Sequence, residues 1–308
     1  MCFTSTFLLT CLLISSSYST ILQKRSLSQY PLAVCNDGTP ATYYVSDQMK
    51  AWAGVVVYLQ EGGGCAGVDD CIARCEVDSP TLCTEDTNEE HDLDYTMWSE
   101  DPEENPPFHD FYKIFVPYCS SDVYTGTRNA SQDTGNYFFH GKFIVEALIE
   151  DIARTVPGIE DLDQFVLTGG SAGAFGVGFN CDFVAELVHA EANPETDVRC
   201  IADGGDFYPT WVSREGCDPY QLGQAASDFW LSKLDYSCEN DGGAGELDCL
   251  ILPSYYQYID TPMMVVTNYV DTSMEVHPCT PPTDQDTQFW DIWKDQMLVL
   301  ANTYMQVT

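Results

Sequence analysis

The feature that most constrains this chain is a strand that passes into a helix with no loop between them. Phe165-Val166-Leu167 is a short buried-strand pattern. Gly169-Gly170-Ser171-Ala172-Gly173 follows at once, and a helical pattern runs from about Ala172 to His189. A strand feeding a helix so tightly is the βα step of a parallel sheet. The rest of the chain agrees. Val55 to Leu59, Tyr112 to Val116, Val198 to Ala202 and Met263 to Thr267 are continuous apolar runs, as expected of strands covered on both faces. Ile144, Leu148 and Ile152 share one helix face, and Phe289, Trp293, Met297, Leu300 and Tyr304 form another helical stripe. No repeat or linker divides the sequence. One α/β domain with a mostly parallel sheet and helices on both faces is expected.

The same turn points to chemistry. G-x-S-x-G arises by chance in roughly one chain of this size in ten, so its context carries the weight. Between a strand and a helix it is a nucleophile elbow, a sharp turn that presents a strained serine above the sheet edge. The glycines let strand and helix cross closely, and the helix N-terminus favours developing negative charge. A plain glycine-rich βα turn is the bland alternative. Gly62-Gly63-Gly64 follows the strand ending at Leu59. Acyl transfer needs backbone N–H donors for its tetrahedral intermediate, one after the nucleophile and another from such an earlier loop. Gly63, Gly64 and Ala172 are the candidates. A flexible turn held by Cys65 is the alternative for the glycines.

Charge removes other classes. Lys and Arg number 12 against 48 Asp and Glu, a net charge of −36 over 308 residues. Such a surface disfavours nucleic acid and anionic lipid as partners. With 44% hydrophobic and 13% aromatic residues, it still supports a core. No apolar run is long enough for a membrane span. Phe7 to Ile14 is apolar and is followed by small residues at Ser17 and Ser19, so residues 1–19 are expected to be a secretory signal peptide. Beyond them an even twelve of the 14 cysteines remain, expected to form up to six disulfides, with a bridge among Cys65, Cys71, Cys75 and Cys83 tying down the glycine loop. Cys279 is the candidate orphan. Zinc on Cys71, Cys75 and Cys83 lacks the usual ligand spacing. Asn129-Ala130-Ser131 is a glycosylation sequon. The acidic segment Glu85 to Glu104 is expected to be a solvated surface excursion, with a calcium loop or lid as the sharper alternative.

Several blocks together resemble the pectin acetylesterase/Notum family. They are Tyr58 to Cys65 (YLQEGGGC) with Cys71, Asn105-Pro106, Phe115 to Gly126 (FVPYCSSDVYTG), Thr168 to Gly178 (TGGSAGAFGVG), and Ile201 to Phe207 (IADGGDF). They occur in the family's order from about Cys35 to His277. The resemblance implies an extracellular serine carboxylesterase with an α/β-hydrolase-like fold, occupying residues 20–308. Its substrate would be an acylated polysaccharide or acylated protein, with no cofactor and no metal, and a monomer is expected. It also implies that Asp271, after the run Thr261 to Val270, is the triad acid. The order Ser171 then Asp271 suits Ser…Asp…His.

The sequence departs from that pattern twice. The family histidine comes in a Ser-His-Glu-like segment past one more helix, whereas here only His277 follows Asp271, close behind it. A C-terminally truncated sequence is the expected reason, with a non-catalytic glycan- or lipid-binding relative as the alternative. Gly64 stands where Notum-like members often carry Trp, which argues against a Notum-shaped acyl pocket.

Overall fold

The computed structural model describes residues 20–46, 53–93, 96–205, 219–240, 248–250 and 252–267. Its centre is one eight-stranded sheet. The strands are β1 (Thr20–Ser26), β2 (Thr42–Ser46), β3 (Val55–Leu59), β4 (Glu90–Leu93), β5 (Tyr112–Val116), β6 (Gln164–Gly170), β7 (Asp197–Asp203) and β8 (Met263–Val266), in the order β4-β1-β2-β5-β3-β6-β7-β8. From β5 to β8 every pairing is parallel. From β4 through β2 to β5 the pairings are antiparallel. All four apolar runs named above are strands of the parallel part. Val55, Val57, Leu59, Ile114, Val116 and Leu167 are almost wholly buried in one core with residues of the helices Gly141–Thr155 and Ala172–Glu191, whereas Val56 packs with Phe111 and Val166.

Helix α1 spans Val68–Ala73, α2 Gly141–Thr155, α3 Ala172–Glu191, α4 Pro219–Trp230 and α5 Tyr236–Asn240. Ile144, Leu148 and Ile152 of α2 lie in the main core, as their spacing predicts. The later stripe from Phe289 to Tyr304 lies outside the described residues, as do residues 1–19. Among the described residues no helix is long and apolar enough to cross a membrane.

Among the described residues five disulfides join Cys35 to Cys119, Cys65 to Cys71, Cys75 to Cys83, Cys181 to Cys200 and Cys238 to Cys249. Two of them fall within the cluster expected to secure the glycine loop, and the three sulfurs weighed as zinc ligands are all oxidised. Cys217 and Cys279 lie outside the described residues.

The antiparallel strands carried little sequence signal. β4 comes from within the acidic segment, which is at the surface as expected but more ordered than an excursion. Glu90 and Asp92 face solvent, while Trp98 and Asn105 behind them are buried. Strand β4 ends the sheet, but Trp98 packs against Tyr58 at 5.9 Å and Met97 against the cluster of Val56, Phe111 and Val166, so the segment reaches back across β3 to β6.

Candidate active site

Ser171 is the single residue between β6 and α3. Its φ of 48° and ψ of −114° lie in a region that L-residues rarely occupy and that costs on the order of 1–3 kcal/mol. The neighbours impose it. The Ser171 N–H donates to the Asp203 carbonyl at 3.0 Å, and the Ser171 carbonyl accepts from Phe175 N–H at 3.1 Å as α3 begins. A β-carbon on Gly169 would lie 2.8 Å from the Leu59 carbonyl oxygen, and one on Gly173 would collide with the same oxygen. Strand β3 and the first turn of α3 therefore touch backbone to backbone, and only glycine fits. Ser171 itself is solvent-exposed. Ala172 begins α3 directly behind it, where helical N–H groups have no partner within the helix.

Because β3 and β6 are parallel neighbours with Leu59 opposite Gly169, the loop after β3 emerges beside the elbow. Tyr58 donates its hydroxyl to Glu61 at 3.0 Å, and that hydroxyl closes on Gly170. Gly62 and Gly63 have φ of 151° and 70°, which explains two of the three glycines. The third has a packing reason: a β-carbon on Gly64 would meet the Ser121 carbonyl at 3.0 Å and the Trp230 indole at 3.4 Å. The structure thus brings Gly63, Gly64, Ser171 and Ala172 to one sheet edge. β8 ends at that edge too, with Val266 opposite Asp203. Asp271 and His277 lie beyond it, outside the described residues.

The described histidines are engaged elsewhere. His91 meets Asp86 at 2.6 Å, His140 faces the Leu32 carbonyl at 2.7 Å, and His109 faces the Pro106 carbonyl at 3.2 Å. His189 faces the Thr196 carbonyl at 3.0 Å, near the far end of α3. At 1.5 Å per residue that is roughly 27 Å along the helix from Ser171.

Several residues that shape this edge carried no role in the sequence. Arg74 donates to the Gly62 carbonyl at 2.6 Å and to Ser121 Oγ at 2.8 Å. The Cys65 N–H donates to the Ser121 carbonyl at 3.1 Å, and Trp230 Nε1 donates to the Cys65 carbonyl at 2.7 Å. Asp122 is fully buried beneath, accepting from Ser120 Oγ at 2.6 Å and from the N–H groups of Gly141 and Tyr124 at 2.8 and 3.1 Å. Burial pushes its carboxyl up to about 6 against the pull of these donors. Ser121, Val123 and Tyr124 all have positive φ, a conformation that SSDVY does not announce. Burial also raises the Asp203 carboxyl beside the elbow.

A cavity of about 360 Å³ lies elsewhere, at the opposite end of α3, with Asp182, Glu186, His189 and Asp260 in its wall. Among the described residues no group of acidic, histidine or cysteine side chains is placed to hold a metal ion.

The sequence matches the family described as pectinacetylesterase over residues 17–306. It is 29% identical over 241 residues to the palmitoleoyl-protein carboxylesterase notum1a of Danio rerio, covering 75% of this chain and 47% of that protein. It is 28% identical over 242 residues to the palmitoleoyl-protein carboxylesterase NOTUM of Homo sapiens, with the same coverage. The chain therefore spans about half the length of the curated relatives it matches. A crystal structure of the Wnt deacylase Notum from Drosophila superposes with a TM-score of 0.78 at 24% identity, covering 93% of this chain and 82% of the other. That likeness establishes the fold.

Proposed function

Since the chain belongs to the pectinacetylesterase family, we propose that it is a secreted carboxylic ester hydrolase with Ser171 as its nucleophile. The observation that carries this reading is the strained backbone of Ser171 at an exposed one-residue turn beside a glycine-rich loop. Strain of this kind persists where the surrounding structure enforces it, and it clusters at active sites.

In the proposed reaction Ser171 Oγ attacks the ester carbonyl and gives its proton to a histidine base oriented by Asp271. The N–H groups of Gly63, Gly64 and Ala172 receive the charge that develops on the carbonyl oxygen. The carbon–oxygen bond to the leaving alcohol breaks, and the histidine returns the proton to that oxygen. Water, deprotonated by the same base, then releases the acid from the acyl-serine. Five disulfides suit an oxidising compartment, so residues 1–19 are assigned as a signal peptide removed on export. The substrate class is an acylated protein or an acylated polysaccharide, in keeping with the relatives named palmitoleoyl-protein carboxylesterases and with the family's own description.

Protein expressed from the complete coding sequence tests this with a fluorophosphonate probe. Wild type is expected to label, and Ser171→Ala to lose all labelling. Labelling that survives the substitution removes Ser171 from the mechanism, and a wild type that never labels favours a non-catalytic binding relative. Acetylated pectin, acetylated xylan and short and long p-nitrophenyl esters then separate the substrates.

A further inference from the structure

We infer that Arg74 is a positioning residue that holds the glycine-loop peptide in the orientation an oxyanion hole requires. The inference rests on the esterase reading above and on one backbone fact. In a trans peptide the carbonyl and the following N–H point in opposite directions. The Gly62 carbonyl is turned onto the Arg74 guanidinium at 2.6 Å, so the Gly63 N–H points away from Arg74.

The sheet order frames the direction inferred for that N–H. The loop leaves β3, which lies between β5 and β6. On the β5 side stand Tyr118 and Ser121, just past that strand, and Arg74 is bound to this side: its Nε donates to Ser121 Oγ at 2.8 Å, and its guanidinium lies over the Tyr118 ring at 5.9 Å. On the β6 side stands Ser171. With the Gly62 carbonyl held by Arg74, the inference places the Gly63 N–H on the side of the nucleophile.

Nothing in the loop itself would keep it so. Gly62 and Gly63, at φ 151° and 70°, have no β-carbon to resist rotation of the peptide between them. A flip would aim a carbonyl oxygen at the place where negative charge develops. Arg74 opposes the flip by binding that oxygen, and the surrounding chain holds Arg74 firmly. It opens a π-helical turn, Arg74–Asp78, directly after α1. Cys71 before it is bonded to Cys65, and Cys75 after it to Cys83. Two planar N–H donors reach two different acceptors, which an ammonium group cannot reproduce in the same geometry.

The test uses protein from the complete coding sequence, with p-nitrophenyl acetate as substrate. Arg74→Ala is expected to lower kcat roughly 100-fold, the scale for loss of one oxyanion donor, with KM changing far less. Added guanidinium should restore part of kcat, and methylammonium should not. If Arg74→Ala fails to fold, Arg74→Lys keeps the stem and charge, and the same fall in kcat is expected. A folded variant with kcat within about three-fold of wild type overturns the inference, as does equal rescue by methylammonium. Should the wild type hydrolyse no ester, the esterase reading fails but Arg74 can still be judged. Crystal structures of wild type and variant would then be compared, and a Gly62 carbonyl pointing the same way in both overturns the role.

Discussion

The strained turn at Ser171 and the glycine-rich loop stand side by side at one sheet edge, yet they are held by opposite means. The elbow is fixed by the two elements it joins. β6 is paired on both sides, α3 begins at the next residue, and Gly169 and Gly173 let the backbones meet Leu59. The loop after β3 has no such continuity. It depends on ties outside any strand or helix ladder, some near in sequence and some far: the Cys65–Cys71 bond, Arg74, Ser121 and Trp230. One half of the site is thus a product of sheet and helix packing. The other is an assembly of side-chain ties.

The largest effect should come from attacking the elbow. Gly173→Val drives side-chain atoms into the Leu59 carbonyl, and no flexible group can yield there. A loss of roughly 3 kcal/mol or more is expected, the upper range for overpacking, read as a large fall in Tm or as failure to accumulate folded protein. A variant that melts with wild type would show that close backbone approach does not hold the elbow.

An intermediate effect is expected on the loop side. Replacing Cys65 and Cys71 together by Ser opens a very short ring, worth roughly 2 kcal/mol by loop-closure entropy. The loop keeps its ties to Arg74 and Trp230, so the fold should survive. The rate at which Ser171 reacts with a fluorophosphonate should fall more steeply than Tm. An unchanged rate together with a lowered Tm would mean that the crosslink supports the domain and not the loop.

The smallest effect concerns pH, and Asp122 carries part of it on the loop side. Burial raises Asp122 beneath the loop to about 6. Burial first, and the nearby Asp182 charge, raise Asp235 at the start of α5 to about 7. A carboxyl whose pKa is higher folded than unfolded binds more protons in the native state between the two values. Stability therefore falls as pH rises from about 4 toward 7, the reverse of the usual salt-bridged carboxylate. Tm should be higher at pH 5 than at pH 8. Asp235→Asn should flatten part of that slope, since Asp235 Oδ1 still accepts the Cys238 N–H while Oδ2 has no hydrogen-bond partner. A Tm that climbs from pH 5 to 8 would contradict both assignments.

The same contrast explains what was legible in the sequence. The strand at Phe165, the turn at Ser171 and the helix beyond are adjacent in the chain, so pattern and turn chemistry sufficed. The strands Val55–Leu59 and Tyr112–Val116 were found to the residue, because strands buried on both faces are continuous apolar runs. β1, with the sequence TILQKRS, and β4, with EHDL, were missed because polar strands at the antiparallel end lack that signal. Arg74 and Trp230 were missed for a different reason. Each acts through a hydrogen bond to a backbone carbonyl 12 or 165 residues away in the sequence, and no local spacing encodes that. Asp271 was legible only through family resemblance.

The acidic rim around β4 has a consequence for how copies of the molecule treat one another. Among the described residues β4 ends the sheet, and an open strand edge is a template on which another chain can add. Here the template is short, and Glu90 and Asp92 point outward from it. A second copy aligning on this edge would set carboxylate against carboxylate across a gap of about 5 Å. The excess of acid over base thus works as colloidal repulsion concentrated where fibrous growth would otherwise start. It weakens as added salt shortens the reach of charge toward a few ångströms.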